Sequence, residues 1–289
     1  MSVNIIMIET ASKCNAHCKY CPQGAGLIPH SNKHEFISDK ILNKALSIAQ
    51  NGKQKIIYLH HRGEPLLHPN IDSIIIKVRN AGFLACFSTN LIAGNELILE
   101  NILKAGINQI EIHYSGGLTV VSHDYLLQKI QYLFKLNKSI RNNGCRIDIN
   151  FALQENETEH SIMKGIEKSK YYHSKIKIRF YKPHNWTSLA YKRDLGINPF
   201  ACQWYLTKSC CVLSNGDIVI CCLDHFSYSN IVNVMDLDEI KMDHLVNREI
   251  CKGCTQFDWF DEWIPDEILK VPNYIQRHLE MDSHRRRIY

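Results

Sequence analysis

The sequence predicts an α/β chain built on a parallel sheet, and three observations carry that prediction. Strand-like and helical patterns alternate through the first two thirds of its 289 residues. Glycines stand where four of the five helices should hand over to a strand, at Asn51-Gly52, Ala81-Gly82, Ala105-Gly106 and Asn143-Gly144. Strands joined by helical crossovers run parallel, because parallel neighbours need connections of that length.

The elements follow in order. The run Val3-Asn4-Ile5-Ile6-Met7-Ile8-Glu9 reads as a first strand that ends in a cysteine-rich loop. Apolar residues at helical spacing then mark helices over 38–51, 70–81, 95–105, 122–142 and 157–171. Between them, short apolar and β-branched runs predict strands over 55–60, 83–88, 109–114, 146–153 and 175–181. After Tyr181 the pattern changes, with Pro183-His184-Asn185-Trp186 and Asn198-Pro199 marking irregular chain. The run from Cys211 to Cys221 places Asn215-Gly216 between two apolar stretches, a hairpin signal because both turn residues tolerate positive φ. This gives a main domain over 1–195, a small second domain over 196–258 and a C-terminal segment over 259–289 of no assigned role.

Alternation alone fits either a barrel or a doubly wound open sheet. In a barrel, chemistry collects at the carboxyl ends of the strands. That rule would bring the cysteine loop, His60-His61-Arg62-Gly63-Glu64-Pro65 and Ser88-Thr89-Asn90 to one rim.

Composition narrows the function classes. The longest apolar stretches, such as Ile74-Ile75-Ile76, are far too short to cross a bilayer, so no membrane partner is expected. The N-terminus lacks a basic-then-apolar signal pattern, which points to the cytoplasm. In that reducing compartment, 12 cysteines suggest metal or redox chemistry rather than disulfides. A net charge of +5 is too weak to argue for nucleic acid, and the basic run His284-Arg285-Arg286-Arg287 reads as a solvated end.

Cys14, Cys18 and Cys21 lie in Cys-Asn-Ala-His-Cys-Lys-Tyr-Cys. Three thiolates on one loop can hold three irons of a cubane cluster and leave the fourth open to a ligand. The alternative for the same residues is zinc with His17 as a fourth ligand. The C-x-x-x-C-x-x-C spacing, with Tyr20 before the last cysteine, resembles the signature of the radical S-adenosylmethionine (SAM) superfamily. That resemblance implies a partial (β/α)6 TIM-type barrel, a 4Fe–4S cluster on Cys14, Cys18 and Cys21, and SAM as cofactor. Arg62-Gly63-Glu64-Pro65 resembles the family's Gly-Gly-Glu motif, whose backbone and carboxylate receive the SAM amino group. Arg62 replaces the first glycine, so Gly63 and Glu64 carry over. Thr89 and Asn90 match a Thr-Asn pair near the cofactor.

A second set comprises Cys202, Cys221 and the C-x-x-C pair Cys251 and Cys254, with Gly216 between the first two. It resembles the Twitch domain, a shortened relative of the SPASM domain, which implies an auxiliary 4Fe–4S cluster on those four cysteines. The alternative is a structural zinc ribbon. On a strand, neighbouring side chains point to opposite faces, so Cys222 is expected to point away from any cluster that Cys221 holds. Cys222 is then a buried hydrophobe or a hydrogen-atom donor. Cys210 and Cys211 admit the same readings, and Cys86 and Cys145 are expected in the core.

The family resemblance implies an oxidoreductase. SAM cleavage would yield a 5′-deoxyadenosyl radical that takes hydrogen from a substrate carbon. Twitch dehydrogenases suggest oxidation of a secondary alcohol on a sugar- or aminocyclitol-like molecule, with the auxiliary cluster accepting an electron. Arg179, His113 and Glu111 are candidates for a base or positioning cation, and Asn150, Gln154, His184 and Asn185 for substrate contacts. Epimerisation with Cys222 as donor, ribosomal-peptide modification and a non-catalytic zinc protein that binds nucleic acid are the alternatives. Peptide modifiers usually carry an N-terminal recognition domain, and none is expected ahead of the first strand. An electron donor such as flavodoxin or ferredoxin is the further expected partner.

Overall fold

The computed structural model describes residues 3–18, 20–28, 35–114, 122–153, 158–172, 176–181, 204, 207–225, 227 and 232–241. The expected alternation appears as β1 (Asn4–Ile8), α1 (Asp39–Ala49), β2 (Ile56–Tyr58), α2 (Ile71–Asn80), β3 (Leu84–Thr89) and α3 (Glu96–Ala105). It continues with β4 (Gln109–Tyr114), α4 (His123–Arg141), β5 (Arg146–Ala152), α5 (Glu159–Ile166) and β6 (Ile178–Tyr181), then a hairpin of β7 (Ser209–Val212) and β8 (Ile218–Val219).

Polar residues set the helix starts. Ser38 accepts from the Ile41 amide at 3.3 Å, Asn95 from Ile98 at 2.9 Å and Ser122 from Tyr125 at 3.2 Å. Thr158 and Ser161 form a reciprocal capping box ahead of α5. Each such cap is worth about 1 kcal/mol. Helix α5 stops at Ile166, short of the expected 171, in a turn where the Ser169 amide donates to the Ile166 carbonyl and the Ser169 hydroxyl accepts from the Tyr171 amide. That side chain competes with helical backbone bonding.

The sheet runs β6-β5-β4-β3-β2-β1-β7-β8, with every pair parallel except the β7–β8 hairpin. From β1 to β6 the spatial order follows the chain order without reversal. A doubly wound sheet reverses at a switch point, so the strand order selects the α/β partial barrel. Crossovers of one hand in an unreversed order put all the helices on one face of the sheet. Strand β4 shows the result, since Ile110, Ile112 and Tyr114 are buried in the core while Gln109, Glu111 and His113 face the other way and stay half-buried.

The hairpin differs from expectation in two respects. Its first strand belongs to the main sheet, where β7 pairs parallel with β1 through Asn4↔Ser209, Ile5↔Cys210, Met7↔Cys211 and Ile8↔Val212. Its connection spans 213–217 instead of two residues, and there only Gly216 has positive φ, at 92°. Asn215 uses its side chain instead, accepting from the Asp217 amide at 3.1 Å. Because β8 ends at Val219, Cys221 and Cys222 lie in the turn after the strand. The strand-alternation argument for these two cysteines is therefore corrected.

Candidate active site

Cys14, Cys18 and Cys21 follow β1 and are each half-buried. The Ala16 amide donates to the Cys14 sulfur at 3.4 Å, and the Asn90 side-chain amide approaches it at 3.5 Å. Backbone amides of Gly24 and Gln23 donate to the Cys21 sulfur. Burial pushes Cys14 up to about 12 and Cys18 up to about 11, with Glu64, Cys21 and Cys18 adding to the rise at Cys14 and Cys21 to that at Cys18. Neighbouring sulfurs with N–H donors aimed at them fit a group that supplies positive charge to three thiolates. Among the described residues, no three His, Cys, Asp or Glu side chains converge as a set for a single ion. His17, the fourth ligand of the zinc alternative, is exposed.

The loop after β2 closes directly against this one. A Cβ on Gly63 would lie 2.2 Å from the Ala11 carbonyl oxygen and 2.5 Å from that of Lys13, so no larger residue fits without moving backbone. The Glu64 amide donates to the Lys13 carbonyl at 2.9 Å. The Glu64 carboxylate is buried, and burial pushes its pKa up. It accepts from Thr89 Oγ1 at 2.6 Å, the Leu66 amide at 3.0 Å and the Asn90 amide at 2.7 Å. Gly63, Glu64, Thr89 and Asn90 thus form one hydrogen-bonded unit behind the cysteine loop. The carboxylate ties the Thr89–Asn90 segment to the motif loop. Leu91, just beyond, is fully buried with φ of 62°, a strained conformation of the kind found at functional turns.

Sequence reasoning missed Glu9 and treated Arg62 only as a departure from a glycine motif. The two form a fully buried pair. Arg62 Nε donates to Glu9 Oε1 at 2.7 Å, Nη2 to Oε2 at 2.8 Å and the Arg62 amide to Oε1 at 3.2 Å. The Ser214 amide and hydroxyl donate to Oε2 at 3.0 and 2.9 Å. Burial would raise the Glu9 pKa, but the Arg62 hydrogen bonds and charge outweigh it and hold it below the usual range. His61 adds a second tie, with Nε2 3.3 Å from the Cys221 carbonyl oxygen. The SAM-type motif is thereby fastened to the cysteine loop on one side and to the hairpin on the other.

Across β3 to β6 the inner face of the sheet is polar. The parallel register sets Ser88 beside Glu111 beside Asp148, and His113 beside Asn150 beside Arg179. Glu111 accepts from Ser88 Oγ at 3.0 Å and from Gln109 Nε2 at 3.1 Å. Its burial is outweighed by His113, His60 and Ser88, which bring its pKa down to about 2. His113 Nδ1 lies 3.0 Å from the Tyr181 hydroxyl, which is also hydrogen-bonded to Tyr20 of the cysteine loop. The cysteine loop therefore reaches the inner face. Arg179 is largely exposed and donates to Asp148 at 2.9 Å. Tyr181 was also missed, although its position two residues after Arg179 puts both on one strand face.

Of the second set, only Cys221 is among the described residues, where it is buried. Cys202, Cys251 and Cys254 lie outside them, as do Gln154, His184 and Asn185. Cys222 is half-buried and packs, as Tyr58 does, against the cluster of Met7, Cys211, Leu213 and Val219. Cys210 and Cys211 are buried on β7, and Cys86 and Cys145 are buried as expected. No described helix is long and apolar enough to cross a membrane.

A family model described as the Radical SAM superfamily matches residues 8–147. No curated protein matches the chain in sequence. Among solved structures, BtrN in complex with AdoMet (SAM) and 2-DOIA is similar at 16% identity and a TM-score of 0.54, over 86% of this chain and 85% of that one. Native anSMEcpe with bound AdoMet is similar at 14% identity and a TM-score of 0.57, over 85% and 81% of the two chains. Streptococcus suis SuiB bound to precursor peptide SuiA is similar at 13% identity and 0.57, over 86% of this chain and 66% of SuiB. Identities this low show a shared fold. The family implies a 4Fe–4S cluster and SAM, and the three clustered sulfurs fit the cluster. Residues 8–147, where the cysteine loop, motif loop and parallel sheet meet, are the part of the chain that matches the Radical SAM superfamily model.

Proposed function

We propose that the protein is a radical SAM oxidoreductase that oxidises a secondary alcohol on a sugar- or aminocyclitol-like molecule. The observation that carries this reading is the polar inner face, where Ser88, Glu111, His113, Asp148 and Asn150 line up across adjacent strands under the cysteine loop. Such a surface of fixed donors and acceptors suits a small hydroxylated ligand. The BtrN structure, of similar fold, holds 2-DOIA together with AdoMet.

Cys14, Cys18 and Cys21 would hold the 4Fe–4S cluster, and the backbone around Gly63, Glu64, Thr89 and Asn90 would border SAM. When bound, the two supply an electron and a 5′-deoxyadenosyl radical able to take hydrogen from carbon. The chain's own part is to seat the substrate carbon near that radical, exclude water and accept the hydroxyl proton. Cys202, Cys221, Cys251 and Cys254 would hold an auxiliary 4Fe–4S cluster in a Twitch/SPASM-like domain over 196–258, as the electron acceptor. A flavodoxin- or ferredoxin-type donor would supply the first electron, in a cytoplasmic setting.

The half-buried place of Cys222 near Cys211 favours a second reading, epimerisation with Cys222 returning a hydrogen atom. One experiment separates the readings. Protein reconstituted without oxygen is given SAM, reductant, 2-DOIA and a panel of cyclic polyols in D2O. Oxidation removes two hydrogens, and Cys222→Ala leaves that product in place. Epimerisation leaves the skeleton's hydrogen count unchanged, adds one solvent deuterium and is lost in Cys222→Ala. SAM cleavage with no polyol product contradicts both and leaves peptide modification as the reading to pursue.

A further inference from the structure

His113 lies mid-way across the inner face, and what surrounds it has the form of a proton-accepting site. We propose that His113 is the catalytic base of this oxidation, taking the substrate hydroxyl proton on Nε2, with Glu111 and Tyr181 as its positioning residues. The proposal rests on the reading of the protein as an alcohol oxidase.

Geometry assigns the two ring nitrogens different tasks. Nδ1 lies 3.0 Å from the Tyr181 hydroxyl, and Tyr181 is itself held by Tyr20. In the tautomer with Nδ1–H donating to the Tyr181 oxygen, the one this role requires, the lone pair sits on Nε2. Nε2 is 3.8 Å from Glu111 Oε2, too far for a hydrogen bond but close enough for the carboxylate to stabilise an imidazolium. Glu111 is pinned by Ser88 and Gln109, so it is in place before any ligand arrives. A third of the His113 side chain (36%) remains accessible.

The other groups facing this space are poorer acceptors. Glu111 has its pKa down at about 2, and burial brings His60 down to about 4, with Nδ1 of His60 already accepting from the Ser88 amide. Glu64 is occupied by Thr89, Leu66 and Asn90, and Asp148 by Arg146 and Arg179. Arg179 is a permanent cation and accepts nothing.

The step balances. The carbinol hydrogen atom passes to the 5′-deoxyadenosyl radical and forms 5′-deoxyadenosine. The hydroxyl proton passes to Nε2, and the remaining electron leaves the carbon for a one-electron acceptor of the iron–sulfur class. The carbon is left as a ketone.

The test uses the reconstituted full chain with 2-DOIA and cyclic polyols deuterated at the carbinol carbons. Two quantities are followed, deuterium appearing in 5′-deoxyadenosine and ketone formed. In His113→Gln and His113→Ala, ketone per deuterium transferred should fall about 100-fold or more, the usual contribution of a general base. Added imidazole should restore ketone formation in His113→Ala. An unchanged ratio in both variants overturns the role of His113 alone, and so does a loss of deuterium transfer and ketone in equal proportion. Wild-type protein that transfers deuterium without making ketone, or transfers none from any probe, overturns the alcohol-oxidase reading itself.

Discussion

The Glu9 carboxylate accepts five hydrogen bonds, three from Arg62 and two from Ser214, in a site closed to water. Removing one partner would strand the other charge, which costs about 3–5 kcal/mol. Replacing both with apolar residues of similar size strands neither and is often close to neutral. Glu9→Leu and Arg62→Met should therefore each lower stability by about 3 kcal/mol or more, and the double variant should recover much of that loss. Urea denaturation of the three variants reads the difference. Additive losses in the double variant would mean that the two residues act separately. Arg62 also explains why a glycine motif can tolerate arginine at its first position. Its side chain turns away from the cysteine loop, towards β1 and the hairpin, while Gly63 keeps the close approach to Ala11 and Lys13.

At the scale of elements, the hairpin shows how local and distant contacts combine. Gly216 has φ of 92°, and a Cβ there would lie 2.7 Å from the Asn233 side-chain oxygen. Asn233 in turn donates to the Asn215 carbonyl and Asp217 carboxylate, and it caps the short 3-10 turn Val234–Asp236. Gly216→Ala should cost about 1–2 kcal/mol from the left-handed backbone, with a further loss from the displaced Asn233. Thermal denaturation checks this, and an unchanged midpoint would contradict it. The beat of strands and helices was legible in the sequence because four of the five helices carry a side-chain cap and all carry an apolar stripe. The placement of the three cysteines, Gly63, Glu64, Thr89 and Asn90 at or just after strand ends was legible too, because local pattern locates those ends, whereas their roles rested on the family resemblance. The pairing of β7 with β1 was not, because partner choice joins residues some 200 positions apart and leaves no local trace. The Glu111–His113–Tyr181 group was legible only in part. Two members share a strand, but the third joins through the register of β4, β5 and β6.

On the scale of the whole molecule, an unreversed parallel sheet puts its helices on one side and leaves the other side free for chemistry. The cysteine loop reaches that free face through Tyr20 and Tyr181, and the motif loop backs it through Gly63 and Glu64. The fold thus sets a cluster-binding loop over a polar surface, the arrangement from which the proposed oxidation follows. The most direct measurement reconstitutes the protein with iron and sulfide without oxygen, reduces it and supplies SAM. Wild-type protein should show iron–sulfur absorbance and release 5′-deoxyadenosine, and the variant lacking Cys14, Cys18 and Cys21 should release none. Protein that takes up zinc in place of iron and leaves SAM intact would contradict the account.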